Sequence, residues 1–380
     1  MKKVLFFIGC FILLLSVCLV AAEENGASFM QDKSTSHSIS DKKRGNSDLY
    51  TKEWKEIDEL IKKDLPRSVV EVAGRIYLDA MEKRNLPQMM KAFMVRAEYQ
   101  NLLSPDSADI QIKTLKEWAS AEEDIVARAV LNNILGQIAA GKSPADVSSA
   151  LEYFRLSLTD KNSLISEQAE NYYPVVISGK TSREFFDDNM YDFLARQSVK
   201  GLLSCRNYEF QDSVHNAISD IYDSLVEIYK GKNIRAEALA EEARILYLAD
   251  YCVSDKYRIS AGDAIKELLS LSEKFRNSDV YCDISLKLAG KYISSGMMTE
   301  AMNVVKTALD AYPHSEWEKD LEGMVKYIES PSLSVEIPFI YPEYKSDMKI
   351  WYKNLSEVSL EVFRTGLSPV SDELNPQNKI

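Results

Sequence analysis

Hydrophobic and polar positions along this chain fall mostly at the three-and-four spacing of one-sided helices. From near Asp48, Trp54, Ile57 and Ile61 share one face, and Pro66 opens a second run in which Val69, Ala73, Ile76 and Ala80 repeat the pattern. Proline is tolerated in a first helical turn because the N–H it lacks would have no partner there. Pro87 does the same for a third run carrying Met90, Phe93, Met94 and Ala97. These methionine and aromatic positions have core spacing, so packing is expected rather than a cofactor box. Further helices are predicted over 110–118, 125–140 and 145–158, the last opened by Ser143, Pro144 and Asp146. The pattern loosens over 160–188, which reads as a long loop or joint. It restarts at 187–195 with acids first and Arg196 and Lys200 after, and continues over 214–229 and 236–251.

The densest signal lies over 288–313. Leu288, Ala289 and Tyr292 precede Gly296, then Ala301, Val305, Ala308 and Leu309 resume the pattern before Pro313. That order predicts a helix, a tight turn with Gly296 as a left-handed stop, and a second helix. The alanines stand where two helices must approach closely. The unit resembles a tetratricopeptide repeat. It has an upstream echo at a constant offset of 37: Ala264, Leu268, Leu271, Phe275 and Ser278 align with Ala301, Val305, Ala308, Tyr312 and Ser315. Stacked helical pairs are therefore the expected architecture of residues 48–330.

At Pro331 the period changes to two. Leu333, Val335 and Ile337 alternate with polar residues, Met348, Ile350 and Tyr352 alternate again, and Val358, Leu360, Val362 and Phe363 form a third apolar stretch. These predict three strands. The expected fold is mostly α, a tetratricopeptide-like helical array followed by an incomplete antiparallel β segment over 331–380.

Several stretches together resemble the N-terminal part of bacterial alpha-2-macroglobulin-like proteins. They are Lys63-Asp64-Leu65-Pro66 with Ile76-Tyr77, the helix from Met89 to Ala97 after Asn85-Leu86-Pro87, and Tyr191-Asp192-Phe193-Leu194-Ala195. The junction adds Ser330-Pro331-Ser332-Leu333, Tyr352-Lys353-Asn354-Leu355 and Leu360-Glu361-Val362-Phe363-Arg364, with Lys353 where the family's turn carries arginine. The resemblance implies an exported helical region leading into the first macroglobulin-like β-sandwich of a protease inhibitor. The family's Cys-x-Glu-Gln thioester is missing, since none of the five cysteines is followed by Glu-Gln at that spacing.

Composition sets the remaining bounds. With 46% hydrophobic and 27% charged residues the chain is globular rather than disordered. Lys2 and Lys3 precede an apolar run from Val4 to Leu15, and Val20-Ala21-Ala22 precedes Glu23, which predicts a cleaved secretory signal over 1–22. A retained anchor and a lipidated Cys18 are the alternatives, and membrane association is expected only with lipidation at Cys18. Residues 23–47 read as a flexible spacer. A formal net charge of −12 argues against nucleic acid as a partner. Once the leader is removed, Cys205, Cys252 and Cys282 remain, an odd number that leaves at least one thiol free or paired outside the chain.

No catalytic, cofactor-binding or metal-ligating residues can be named. His37 lies in the spacer, His215 at a helix start and His314 after Pro313, so surface or capping roles are expected for them. Gly179-Lys180-Thr181 lacks the glycine a phosphate loop needs five residues earlier, where Pro174 stands. The pairs Glu122-Glu123 and Glu241-Glu242 read as solvated surface. Two functions follow. One is a non-enzymatic scaffold in the periplasm or envelope, part of a macroglobulin-like inhibitor that meets protein partners such as proteases. The other is a free-standing helical-repeat envelope protein that binds glycan or protein.

Overall fold

The computed structural model describes residues 49–172, 175, 186–205, 208–336 and 347–361. The predicted leader and spacer, His37, Gly179-Lys180-Thr181, Val362 and Phe363 lie outside the described residues. The described chain is mostly helical, with fourteen α-helices and one two-stranded antiparallel sheet, and it divides into two units, Met1–Val280 and Tyr281–Ile380.

In the first unit, α1 (Thr51–Lys62), α2 (Pro66–Glu82) and α3 (Leu86–Leu103) pack in sequence around Ile57, Val69, Val72, Ala73, Ile76, Ala92 and Val95. Pro66 and Pro87 stand in the first turns, as the pattern requires. Helices α1 and α2 end alike. Leu65 N–H reaches back to Leu60 O at 3.1 Å and Asn85 N–H to Ala80 O at 2.8 Å, each with the preceding residue left-handed, Asp64 at φ 53° and Arg84 at φ 52°. This is the six-to-one closure that satisfies the orphan carbonyls of a helix end.

The rest of this unit comprises α4 (Ala108–Ala121), α5 (Ile125–Ala140), α6 (Val147–Ser157), α7 (Lys161–Ser166), α8 (Met190–Ser204), α9 (Gln211–Tyr229), α10 (Ile234–Leu246) and α11 (Ala261–Lys274). Helix α5 is central. It packs on α4, α6 and α8, and almost every residue from Ala129 to Ala140 is buried. A large ring enters this centre because two helices give up their side chains. A Cβ on Gly136 would lie 2.6 Å from the Phe154 ring, and one on Gly201 would lie 2.5 Å from it. Beside the ring, buried Asn133 donates its amide to Leu194 O at 3.2 Å and Ser198 Oγ at 3.0 Å, tying α5 to α8.

Three expectations change here. Helix α6 is capped by Asp146, whose side chain accepts from Ser149 N–H at 3.2 Å, so Ser143 and Pro144 lie outside the helix. Helix α10 stops at Leu246 and passes into a π turn over Tyr247–Tyr251. The described part of 160–188 is not bare loop but carries α7 and a 3-10 turn over Ala169–Tyr172.

In the second unit, α12 (Tyr281–Ser294), α13 (Met298–Ala311) and α14 (Glu318–Glu329) pack on one another. Met297 N–H returns to Tyr292 O at 2.8 Å with Gly296 at φ 78°, the closure already seen after α1 and α2. Ala301, Val305 and Ala308 are fully buried, as the spacing predicts. Helices α11 and α13, the two members of the offset-37 echo, also finish with matching bonds, Ser278 N–H to Phe275 O and Ser315 N–H to Tyr312 O.

Strands β1 (Ser332–Glu336) and β2 (Lys349–Lys353) pair antiparallel, with Leu333 opposite Tyr352 and Val335 opposite Ile350. Cross-strand partners share a face, so Leu333, Val335, Ile350 and Tyr352 make one face apolar while Ser332, Ser334, Glu336, Lys349, Trp351 and Lys353 occupy the other. Leu333, Val335 and Tyr352 stay exposed. Of the third predicted strand, Val358–Glu361 takes no place in the sheet among the described residues, and Leu360 is 63% exposed. Alternation marks a residue pattern, but a strand exists only where a neighbour takes its N–H and C=O groups.

Candidate functional site

The densest collection of reactive groups surrounds His215 near the start of α9. The ring is buried, not at the surface or in a cap as expected, because the π turn after α10 and the turn at Ser254 that follows it bring Tyr247 and Tyr257 over it. Tyr257 stacks at 4.0 Å and Tyr247 at 6.0 Å between centroids. His215 Nδ1 is 3.2 Å from Tyr247 Oη and 3.6 Å from Cys252 Sγ, and Nε2 is 3.4 Å from Ser219 Oγ. Burial holds the imidazole below its ordinary pKa, partly opposed by Asp212, and Asp212 itself accepts from Ser254 Oγ at 2.8 Å. A thiol beside an imidazole has the makings of a nucleophile. Here Cys252 is 1% exposed and its Sγ donates to Ser254 O, so no substrate atom reaches it. The cluster packs the π turn.

The other cysteines are equally enclosed. Cys205, Cys252 and Cys282 are buried and free, and burial pushes the Cys205 thiol up to about 11. Among the described residues no group of three or more His, Cys, Asp or Glu is placed to hold a metal ion, and no helix is long and apolar enough to cross a membrane.

Of the acid pairs only Glu123 is exposed as expected. Glu122 accepts from Trp118 Nε1 at 2.9 Å and from Asp124 N–H at 3.1 Å, closing the end of α4. Glu242 is buried, and Lys274 Nζ bridges Glu241 at 2.6 Å and Glu237 at 2.8 Å. The reason is that α10 has α9 on one side and α11 on another, so adjacent acids both meet protein. Asp192 is also wholly buried. It accepts Phe186 N–H at 3.1 Å, and burial raises its carboxyl to about 7 against the pull of Arg196. His314 is exposed, as expected.

Two places face outward. One is a cleft of about 510 Å³ lined by α4, α5, α6 and the turn after α6. The other is the apolar hairpin face, which is fastened to α14. Lys353 Nζ donates to Tyr327 O and lies 4.1 Å over the Tyr327 ring. Asn354, left-handed at φ 53°, donates to Ile328 O at 2.6 Å and Ser330 O at 3.4 Å. Those carbonyls belong to the last turn and cap of α14, where no helical N–H follows to satisfy them and where a cation suits the helix dipole. Sequence reading had singled out Lys353-Asn354 only by resemblance; what it lacked was the helix end they serve. No family model, curated protein or solved structure matches the chain.

Proposed function

We propose that this chain is a non-enzymatic exported scaffold, the N-terminal part of a protease inhibitor of the alpha-2-macroglobulin kind. In this reading a tetratricopeptide-like helical array carries the opening strands of a macroglobulin-like sandwich. One observation carries it. A two-stranded sheet with an uncovered apolar face is fixed to a helix end by Lys353 and Asn354, as a first piece of a β layer would be. The recurring six-to-one closures after α1, α2 and α12 support the repeat-like array. The free-standing binding protein is the second reading, favoured by the cleft between α4, α5 and α6.

An antibody raised against α2 and α3 tests the choice in cells that express the native gene. The scaffold reading expects a band in the envelope fraction far larger than 43.1 kDa, with Glu23 as its first residue. A blocked, lipidated Cys18 would change the export route alone. A cytosolic band of the chain's own mass refutes the scaffold, and an envelope band of that mass favours the free-standing protein.

A further inference from the structure

The cleft on the first unit brings charges of both signs from three helices to one concave place. Lys116 of α4 and Arg128 of α5 line it together with Glu152 of α6 and Asp160 in the turn that follows. Elsewhere some exposed cations sit beside acids one helical turn away, as in Lys62–Glu59, Lys83–Asp79 and Lys266–Asp263, while others, such as Lys52, Lys55 and Arg67, are in no ion pair among the described residues. Among the described residues, Lys116, Arg128 and Glu152 form no ion pair, and Asp160 accepts only the Ser163 hydroxyl.

The base of the cleft is small and apolar, with Ala119 and Ala129, except for Asn132. That buried amide donates one N–H to Arg128 O at 3.0 Å, and no donor among the described residues meets its Oδ1. A ligand with an N–H group would satisfy that oxygen.

Chemistry discriminates among ligand classes. A sugar stacks on an open aromatic face, and the cleft's aromatic residue, Tyr153, has the Lys116 ammonium 5.9 Å over its ring. A simple anion would meet Glu152 and Asp160 as well as the cations. A peptide offers both charges and backbone N–H groups, and small base residues admit its main chain. We propose that the cleft between α4, α5 and α6 binds a short peptide segment bearing one acidic and one basic side chain. The acid lies against Lys116 and Arg128, and the base lies against Glu152 and Asp160. The cleft's size falls within the roughly 300–1,000 Å³ of ordinary ligand sites. This site is independent of the hairpin and of any β layer.

The test pans a random heptapeptide library displayed on phage against the immobilised full chain, then measures the enriched peptide, synthesised with a fluorescein label, by anisotropy. Enriched sequences should carry an acid and a base separated by small residues. Replacing both charges of the peptide by Gln should weaken binding by about tenfold or more, two exposed charge contacts being lost. Lys116→Glu and Glu152→Lys should each weaken the original peptide similarly, and the double variant should prefer the charge-exchanged peptide. Both residues are exposed and unpaired, and circular dichroism checks that the variants stay folded. Absence of a consensus, indifference to the Gln peptide, or heat from titrated chitotriose with none from the peptide would overturn the proposal.

Discussion

Alanine at Gly136 or Gly201 should destabilise the first unit chiefly through one ring, Phe154. The added Cβ at Gly136 would stand 2.6 Å from both Cδ1 and Cε1 of Phe154, and at Gly201 it would stand 2.5 Å from Cζ and 2.9 Å from Gln137 Oε1. Carbon atoms prefer about 3.5–4.0 Å, so the ring must retreat by about 1 Å. Phe154 is 2% exposed and lies against both glycines, so retreat from one is blocked near the other. Overpacking of this kind costs about 1–3 kcal/mol, while alanine gains about 1 kcal/mol over glycine as a helix former. Gly74 in α2, with nothing within 4 Å of its Cβ position, isolates the second term. Gly74→Ala should therefore stabilise, and the gap between it and Gly136→Ala or Gly201→Ala should be the overpacking cost alone, about 1–3 kcal/mol. Urea unfolding followed by far-ultraviolet circular dichroism measures all three. In a Phe154→Leu background Gly136→Ala should lose its penalty, and Gly201→Ala should keep only the part due to Gln137 Oε1. Equal shifts for Gly74→Ala and Gly136→Ala, or a coupling to Phe154→Leu within about 0.5 kcal/mol of zero, would refute the reasoning.

Asp64→Gly and Arg84→Gly should each stabilise by about 1 kcal/mol in the same assay, since both residues are held left-handed, and Gly296→Ala should cost about as much. Burial raises the Glu98 carboxyl to about 7, and its Oε2 has no hydrogen-bond partner among the described residues. The folded chain keeps that proton to a higher pH than the unfolded chain, so the stabilisation is full in acid and is lost as pH rises towards 7. Glu98→Gln should flatten that part of the stability profile and exceed the parent at neutral pH; parallel profiles would count against it. Ala301→Leu or Ala308→Leu should cost about 1–3 kcal/mol, read as a lowered thermal midpoint, because both positions are fully buried in α13.

Helices with a strong one-sided pattern were legible, and so were the turn at Gly296 and the paired strands. The equivalent turns after α1 and α2 were not, because Asp64 and Arg84 occupy left-handed positions that glycine usually announces. The burial of His215 and Glu242 was hidden for another reason. It depends on which helices flank α9 and α10, a long-range fact that periodicity within one helix does not contain. The cleft was invisible for the same cause: Lys116, Arg128, Glu152 and Asp160 look like four ordinary surface charges until three helices bring them together. The third stretch differs in the opposite direction, since its described part, Val358–Glu361, has the local pattern without a place in the sheet.

The fastening of the hairpin has a mechanical consequence. A sheet joined to a helix only through the backbone at Ser330 and Pro331 would swivel about those bonds. Lys353 and Asn354, at the close of β2, grip the same helix end through Tyr327, Ile328 and Ser330, so both strands of the hairpin are held at the end where Ser332 pairs with Lys353. Two anchors resist rotation where one does not. A load applied to the apolar face of the hairpin is therefore transmitted as torque to α14 and the helices packed on it, and α12 to α14 act as the lever arm that sets the direction in which that face points.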